Sequence, residues 1–195
     1  MSMPVFKRLF AVVIAMAAAA VVFMTPTASA ATPAPKDATA LVKDLAAGDV
    51  SAATTYRVTF TNVKSGWCLN QDYSGGTAHH DVLAWACDSS APNEYWDITR
   101  DAYTGWYVIE NVASGQCLNQ DYSGGTAHHD VLAWACDGSA RNEYWDIQLN
   151  AGQTAVTVQN ADSSWYLNQD YSGGVAHHDV LAWNDAGTSD NELWK

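Results

Sequence analysis

Three kinds of side chain that suit a polyhydroxylated ring recur together in this chain: a carboxylate, a carboxamide and a flat indole. Asn70 and Asp72 are followed by Trp85, and the set returns as Asn119, Asp121 and Trp134, then as Asn168, Asp170 and Trp183. Ligand hydroxyls need carboxylate acceptors and amide partners. The apolar face of a pyranose needs an aromatic wall.

Catalysis would need something else. An active site joins unlike residues in one asymmetric constellation, and a glycosidase needs two carboxylates flanking one bond. Asp72 and Asp81 supply such a pair, but every repeat supplies it equally and nothing singles out one as catalytic. Triplication of the whole set points to a binding module and away from an enzyme. The alternative within the non-enzymatic class is an interaction or inhibitor protein that grips a protein surface. The triplets His79-His80-Asp81, His128-His129-Asp130 and His177-His178-Asp179 raise the question of a metal. Neighbours on a strand point opposite ways, so only the first histidine and the aspartate share a side, and two ligands make a poor site. Local hydrogen bonding around the pocket, or contact with the sugar, suits them better. No metal and no other cofactor is expected.

The elements that must hold these residues are written three times. Cys68 to Asp88 is repeated letter for letter at Cys117 to Asp137, and Leu167 to Trp183 is a close third copy. Trp96, Trp145 and Trp194 close the copies at a constant offset of 49 residues. A fixed period of this length marks a repeat architecture, and three copies suit a closed three-fold object better than an open array, which needs distinct caps. The opening strands are predicted at 56–63, 106–112 and 156–161. Their period of two points Val58, Tyr107 and Val156, then Phe60, Ile109 and Val158, inward. A turn, a short strand from the Cys or Tyr, a Tyr-Ser-Gly-Gly break, a Val-Leu-Ala-Trp strand and a strand carrying the closing Trp complete each copy. Four strands per repeat give an all-β domain of about twelve strands.

Strand parity sets Val82, Ala84 and Ala86 on the inner face, and His79, Asp81, Leu83, Trp85 and Cys87 on the other. Asn70 and Asp72 lie together on the preceding strand. Each also has a bland reading: Trp85 packing on a disulfide, and Asn70 and Asp72 shaping the turn before Tyr-Ser-Gly-Gly. Trp96, Trp145 and Trp194 read as core. The four cysteines admit three pairings. The third repeat has Tyr166 and Asp185 at the two equivalent positions, so the cysteines are absent as a unit and should pair as a unit: Cys68 with Cys87 and Cys117 with Cys136. Each bond closes a loop of about 20 residues, worth roughly 3 kcal/mol in the chain-entropy model.

Residues 1–30 read as a secretory signal, with Lys7 and Arg8, an apolar run from Leu9 to Met24, and Ala28-Ser29-Ala30 as the cleavage site. A secreted, disulfide-bonded protein follows. Its removal leaves seven basic residues against 21 acidic ones, which disfavours nucleic acid and anionic membranes as partners. No second apolar run is long enough to insert in a membrane, and a monomer is expected. Residues 31–53 read as a linker, with a short helix from Asp37 to Ala47 that places Leu41, Val42 and Leu45 on one side. One domain, 54–195, remains.

The order Cys-Leu-Asn, Val-Leu-Ala-Trp-Ala-Cys and Asn-Glu-Tyr-Trp, met twice in full and a third time as Tyr-Leu-Asn, Val-Leu-Ala-Trp-Asn-Asp and Asn-Glu-Leu-Trp, resembles the ricin-B-type lectins of the secreted bacterial kind. Their pattern is Cys-Leu-Asp, a strand ending Trp-x-Cys, and Gln-x-Trp. The resemblance implies a β-trefoil of three 49-residue repeats with pseudo-three-fold symmetry, a six-stranded barrel capped by three hairpins. It implies glycans or polysaccharides as partners, at up to three equivalent sites. It also adds Asn93, Asn142 and Asn191, which match the asparagine that precedes the family's Gln-x-Trp. Here that Gln is Glu94, Glu143 and Glu192, expected to accept backbone hydrogen bonds in its stead, and the family's Asp is Asn70, Asn119 and Asn168.

Overall fold

The computed structural model describes residues 35–47, 55–185 and 187–195. The expected leader, and residues 31–34 and 48–53 of the expected linker, lie outside the described residues.

The repeats fold as their two-residue period requires. In the first, β2 (Thr55–Thr59), β3 (Cys68–Gln71), β4 (Val82–Trp85) and β5 (Trp96–Arg100) follow one another. The second gives β6 (Tyr107–Asn111), β7 (Cys117–Gln120), β8 (Val131–Trp134) and β9 (Tyr144–Leu149), and the third β10 (Val156–Asn160), β11 (Tyr166–Gln169) and β12 (Val180–Trp183). The fourth strand of the third repeat shrinks to the residues around Trp194. That residue bridges both Asn62 and Val156, and Lys195 exchanges backbone hydrogen bonds of 2.8 Å with Thr61. β2, β5, β6, β9 and β10 pair in that order, so Trp194 closes the ring of six. The pairs β3–β4, β7–β8 and β11–β12 are the three hairpins. This is the β-trefoil.

All six residues read as inward on the opening strands are buried: Val58, Phe60, Tyr107, Ile109, Val156 and Val158. Trp96, Trp145 and Trp194 are fully buried, and each indole donates to a hairpin carbonyl (Leu69, Leu118, Leu167) at 2.9–3.0 Å. The closing tryptophan therefore bolts each hairpin to the barrel and leaves no buried N–H unpaired. Val82 and Ala84 are buried as parity requires, but Ala86 is exposed. Strand β4 ends at Trp85, and beyond it the chain turns towards Cys87, so the alternation no longer applies.

The segment read as a spacer is built into the domain. β1 (Lys36–Asp37) pairs parallel with β2, and the helix α1 (Ala38–Ala46) buries Ala38, Leu41 and Val42 in the same core cluster as the barrel. Its N-terminus is held by the Asp37 carboxylate, which accepts from the Ala40 N–H at 2.7 Å. No helix among the described residues is long and apolar enough to cross a membrane.

Cys68 is bonded to Cys87 and Cys117 to Cys136, each across 5.0 Å between Cα atoms. In the third repeat the vacated space is taken by Tyr166. Its ring lies so close to Gly187, at φ 67°, that a Cβ there would fall 2.7 Å from Cε1. A glycine is required at that point both for the left-handed backbone and for the ring.

Candidate functional site

Each hairpin holds its site by register. Cys68 stands opposite Trp85 and Asn70 opposite Leu83, and the second and third hairpins repeat both pairs at their equivalent positions. Trp85, Trp134 and Trp183 are 49%, 49% and 45% exposed. For residues flanked by strands that bury everything inward, such open indoles are the unusual feature. In the third repeat Asn168, Asp170, Trp183 and Asn191 all line one open hollow of about 410 Å³, together with Tyr171 and Lys64.

The polar members have distinct duties. Asn93 donates through its amide to the Gln71 carbonyl at 2.8 Å and to Asn70 Oδ1 at 3.4 Å. The equivalent Asn142–Asn119 and Asn191–Asn168 contacts are 2.7 and 3.2 Å. In the second repeat the Asn119 amide in turn donates to Glu143 at 3.3 Å. There Asn119 is thus a strut between Asn142 and the buried Glu143. Asp72 accepts from Ser74 N at 2.8 Å and Ser74 Oγ at 3.1 Å, and Asp121 and Asp170 do the same with Ser123 and Ser172. Turn-shaping and ligand contact are compatible, since a carboxylate offers about four lone-pair sites and the serine takes two. His79, His128 and His177 donate from Nε2 to the carbonyls of Ser74, Ser123 and Ser172 at 3.0–3.1 Å, closing the same turn.

The second histidine of each triplet does something that strand alternation did not reveal. His178, from the third repeat, stacks on Trp85 of the first, with centroids 3.9 Å apart. His80 packs on Trp134 at 4.1 Å, and His129 on Trp183 at 4.2 Å. His178 and His129 also stack on Trp67 and Trp165 at 4.7 Å. Each imidazole Nδ1 lies 2.8–2.9 Å from a carbonyl of the neighbouring repeat, Ala84, Ala133 or Ala182. A carbonyl only accepts, so Nδ1 carries the proton. One face of every exposed indole is therefore backed by an imidazole from another repeat, and the three sites are tied head to tail around the three-fold axis.

Gln71, Gln120 and Gln169, fully buried, complete the supports. Gln71 donates to the His79 carbonyl at 2.6 Å and accepts from Ser114 Oγ of the next repeat at 2.5 Å. The Ser114 contact could not be read from one strand at a time, because it comes from packing of one repeat on the next.

Glu94, Glu143 and Glu192 are buried behind the sites. Glu94 and Glu143 accept from the Asp88 and Asp137 N–H groups at 2.8 and 2.7 Å, and Glu192 from Ser189 at 3.2 Å. Burial pushes all three carboxyls above the usual range, against the pull of these hydrogen bonds. Among the described residues, the one cluster of metal-type ligand atoms within 4.8 Å of one another is Cys68, Cys87 and Glu94, and its two sulfurs are spent in the disulfide.

A β-trefoil whose three hairpins each present an open indole beside an aspartate and two asparagines defines the class: a trefoil of the lectin type. The model of the ricin-type β-trefoil lectin domain-like family matches residues 49–134 and again 92–183, and the chain belongs to that family. Among solved structures it is similar to ThreeFoil, a designed three-fold symmetric protein, at 19% identity and TM-score 0.60, covering 71% of this chain and 96% of that one. It is also similar to the Macrolepiota procera ricin B-like lectin in complex with lactose, at 19% identity and TM-score 0.55, covering 74% and 95%. A third likeness is to the GlcNAcα1-4Gal-releasing endo-β-galactosidase of Clostridium perfringens, at 14% identity and TM-score 0.56. There the match covers 71% of this chain and 31% of the enzyme. No curated protein matches the chain in sequence.

Proposed function

We propose that the protein is a secreted, non-enzymatic lectin that binds glycans or polysaccharides through three sites, one per hairpin, as a monomeric domain that takes in β1 and α1 as well as the trefoil. The observation that carries this is the hollow of the third repeat, where an indole nearly half exposed lines one space with Asp170, Asn168 and Asn191, and the recurrence of the exposed indole in the other two repeats. The membership of the lectin family and the lactose complex of the Macrolepiota relative support a sugar as the ligand. In each site the indole takes the apolar face of a ring, the aspartate and the second asparagine take hydroxyls, and the first asparagine holds them in place. The two disulfides and the apolar leader support export.

A shallow hollow that holds one or two rings binds weakly, with a dissociation constant of about 1 mM, or about −4 kcal/mol. Three such sites on one rigid body make later contacts intramolecular, and avidity on a branched or polymeric glycan rises by roughly 10²–10⁴. Glycan-array binding of the purified, folded protein tests the reading. The expected result is selective retention of one glycan class at multivalent density. Binding to no glycan, with a protein partner recovered instead, would replace the lectin by the interaction-protein reading.

A further inference from the structure

Each exposed indole is backed by an imidazole, but the imidazoles are not all backed in turn. What lies behind them is set by the residue that precedes the second strand of each repeat: Trp67, Gln116 and Trp165, 49 positions apart. His178 stacks on Trp85, with centroids 3.9 Å apart at 26°, and on Trp67, at 4.7 Å and 10°. His129 stacks on Trp183, at 4.2 Å and 26°, and on Trp165, at 4.7 Å and 21°. Two indoles at such distances cannot share one face of an imidazole, so both histidines are the middle layer of an indole–imidazole–indole stack. Trp67 and Trp165 are partly buried and packed against the core cluster, which anchors the inner layer. His80 lies on Trp134 at 4.1 Å, tilted by 33°, and among the described residues no second ring stacks on it. The place of the third layer falls to Gln116, which has no ring and whose Oε1 accepts from Gln71 Nε2 at 2.6 Å.

We propose that Trp67 and Trp165 are positioning residues for sugar binding, acting through His178 and His129 on the indoles of Trp85 and Trp183, and that the second site, with Gln116 in their place, is the weakest of the three. The proposal rests on the carbohydrate reading and adds what separates sites whose contact residues are nearly the same. Trp85 and Trp134 are equally exposed, at 49%, so the walls they offer do not differ in size. They differ in how firmly each is held before a ligand arrives. A side chain that the ligand itself must order costs binding free energy, and a supporting layer that orders it beforehand removes that cost. At the first and third sites the anchored inner indole fixes the imidazole, and the imidazole fixes the outer indole. At the second site His80 is held by its hydrogen bond to the Ala133 carbonyl at 2.8 Å and by Trp134, the ring it is meant to support. A sugar there must order both rings.

The test uses full chains that keep one of Trp85, Trp134 and Trp183, the other two changed to alanine, titrated with galactose, glucose and N-acetylglucosamine. The second-site chain should bind roughly two- to tenfold more weakly than the first-site chain, the range of one stacked aromatic pair. The decisive comparisons stay within one site. Gln116→Trp in the second-site chain should recover that factor. It should fold, because Gln120 and Gln169, the equivalents of Gln71, already sit in repeats whose matching position is Trp165 or Trp67. Trp67→Gln in the first-site chain should lower binding to the level of the second site, and Trp67→Phe, which keeps a ring, should retain most of it. In the wild type the His178 ring protons, shielded by two indoles, should resonate upfield of those of His80. Trp67→Gln should move the His178 signals and leave those of His80 in place. If Gln116→Trp folds without tightening the second site, or Trp67→Gln folds without weakening the first, the inference is overturned while sugar binding stands. If none of the three sugars binds the folded wild type, the carbohydrate reading and this inference fall together.

Discussion

Replacing His178 by alanine should damage a site in a different repeat from its own. The change removes two stacked contacts, with Trp85 at 3.9 Å and Trp67 at 4.7 Å, and one hydrogen bond from Nδ1 to the Ala84 carbonyl at 2.9 Å. Aromatic pairs contribute about 0.5–1.5 kcal/mol each beyond burial, and a hydrogen bond about 1 kcal/mol. Half-exposed indoles favour the low end, so the loss is roughly 2 kcal/mol. For a domain of this size that lowers the melting temperature by about 4–8 °C. Binding should fall at the first site, whose indole loses its backing, and hold at the third, although His178 belongs to the third repeat. Thermal unfolding gives the stability change, and sugar titration in chains retaining one tryptophan each separates the sites. His178→Phe restores a stacking partner without the hydrogen bond and should recover part of both losses. If His178→Ala weakens the third site and spares the first, the head-to-tail coupling described above is wrong.

Other outcomes follow from the same contacts. Glu94 and Glu143 have folded pKa values raised above the ordinary carboxyl range. Their contribution to stability is fully present below the unfolded value and is lost as pH rises through the folded one. Glu94→Gln with Glu143→Gln keeps an acceptor for the Asp88 and Asp137 N–H groups, so the double variant should gain in melting temperature over wild type between pH 4 and pH 7; a loss at neutral pH would show that the charge is needed. Cys68→Ala should cost about 3 kcal/mol by denaturant unfolding, less any strain the bond relieves; a negligible change would mean that the hairpin needs no staple. Gly187→Ala places a Cβ at φ 67° against Tyr166 and should cost about 1–3 kcal/mol; a neutral result would show that the third repeat adjusts freely where it lacks its disulfide.

The repeat period and the alternation on the opening strands were enough to read a closed three-fold object of about twelve strands, because both follow from local geometry that each copy states again; that this object is a trefoil came from the resemblance to the ricin-B-type lectins. The paired replacement at Tyr166 and Asp185 carried the disulfides for the same reason. Of the residues brought together in the third hollow, Asn168, Asp170 and Trp183 were also readable, since strand register and one short loop bring them together, while Asn191 came with the resemblance and Lys64 and Tyr171 were not singled out. What escaped the sequence lies across repeats. The stacking of His178 on Trp85 joins residues 93 positions apart, and the docking of Ser65 on Gln169 spans 104. Both depend on the rotation that relates the repeats, which no single strand encodes. The helix of Ala38–Ala46 was visible as an apolar stripe, but that it completes the core depends on the open face it meets at β2, β9 and β10.

Titrating a monosaccharide and its polysaccharide against wild type, Trp85→Ala, and the combined Trp85→Ala, Trp134→Ala, Trp183→Ala chain tests the central claim most directly. Three equivalent stacking walls predict that polysaccharide binding drops stepwise and vanishes in the triple variant, with the fold retained by circular dichroism. A folded triple variant that binds polysaccharide as tightly as wild type would make the indoles structural and place the ligand elsewhere.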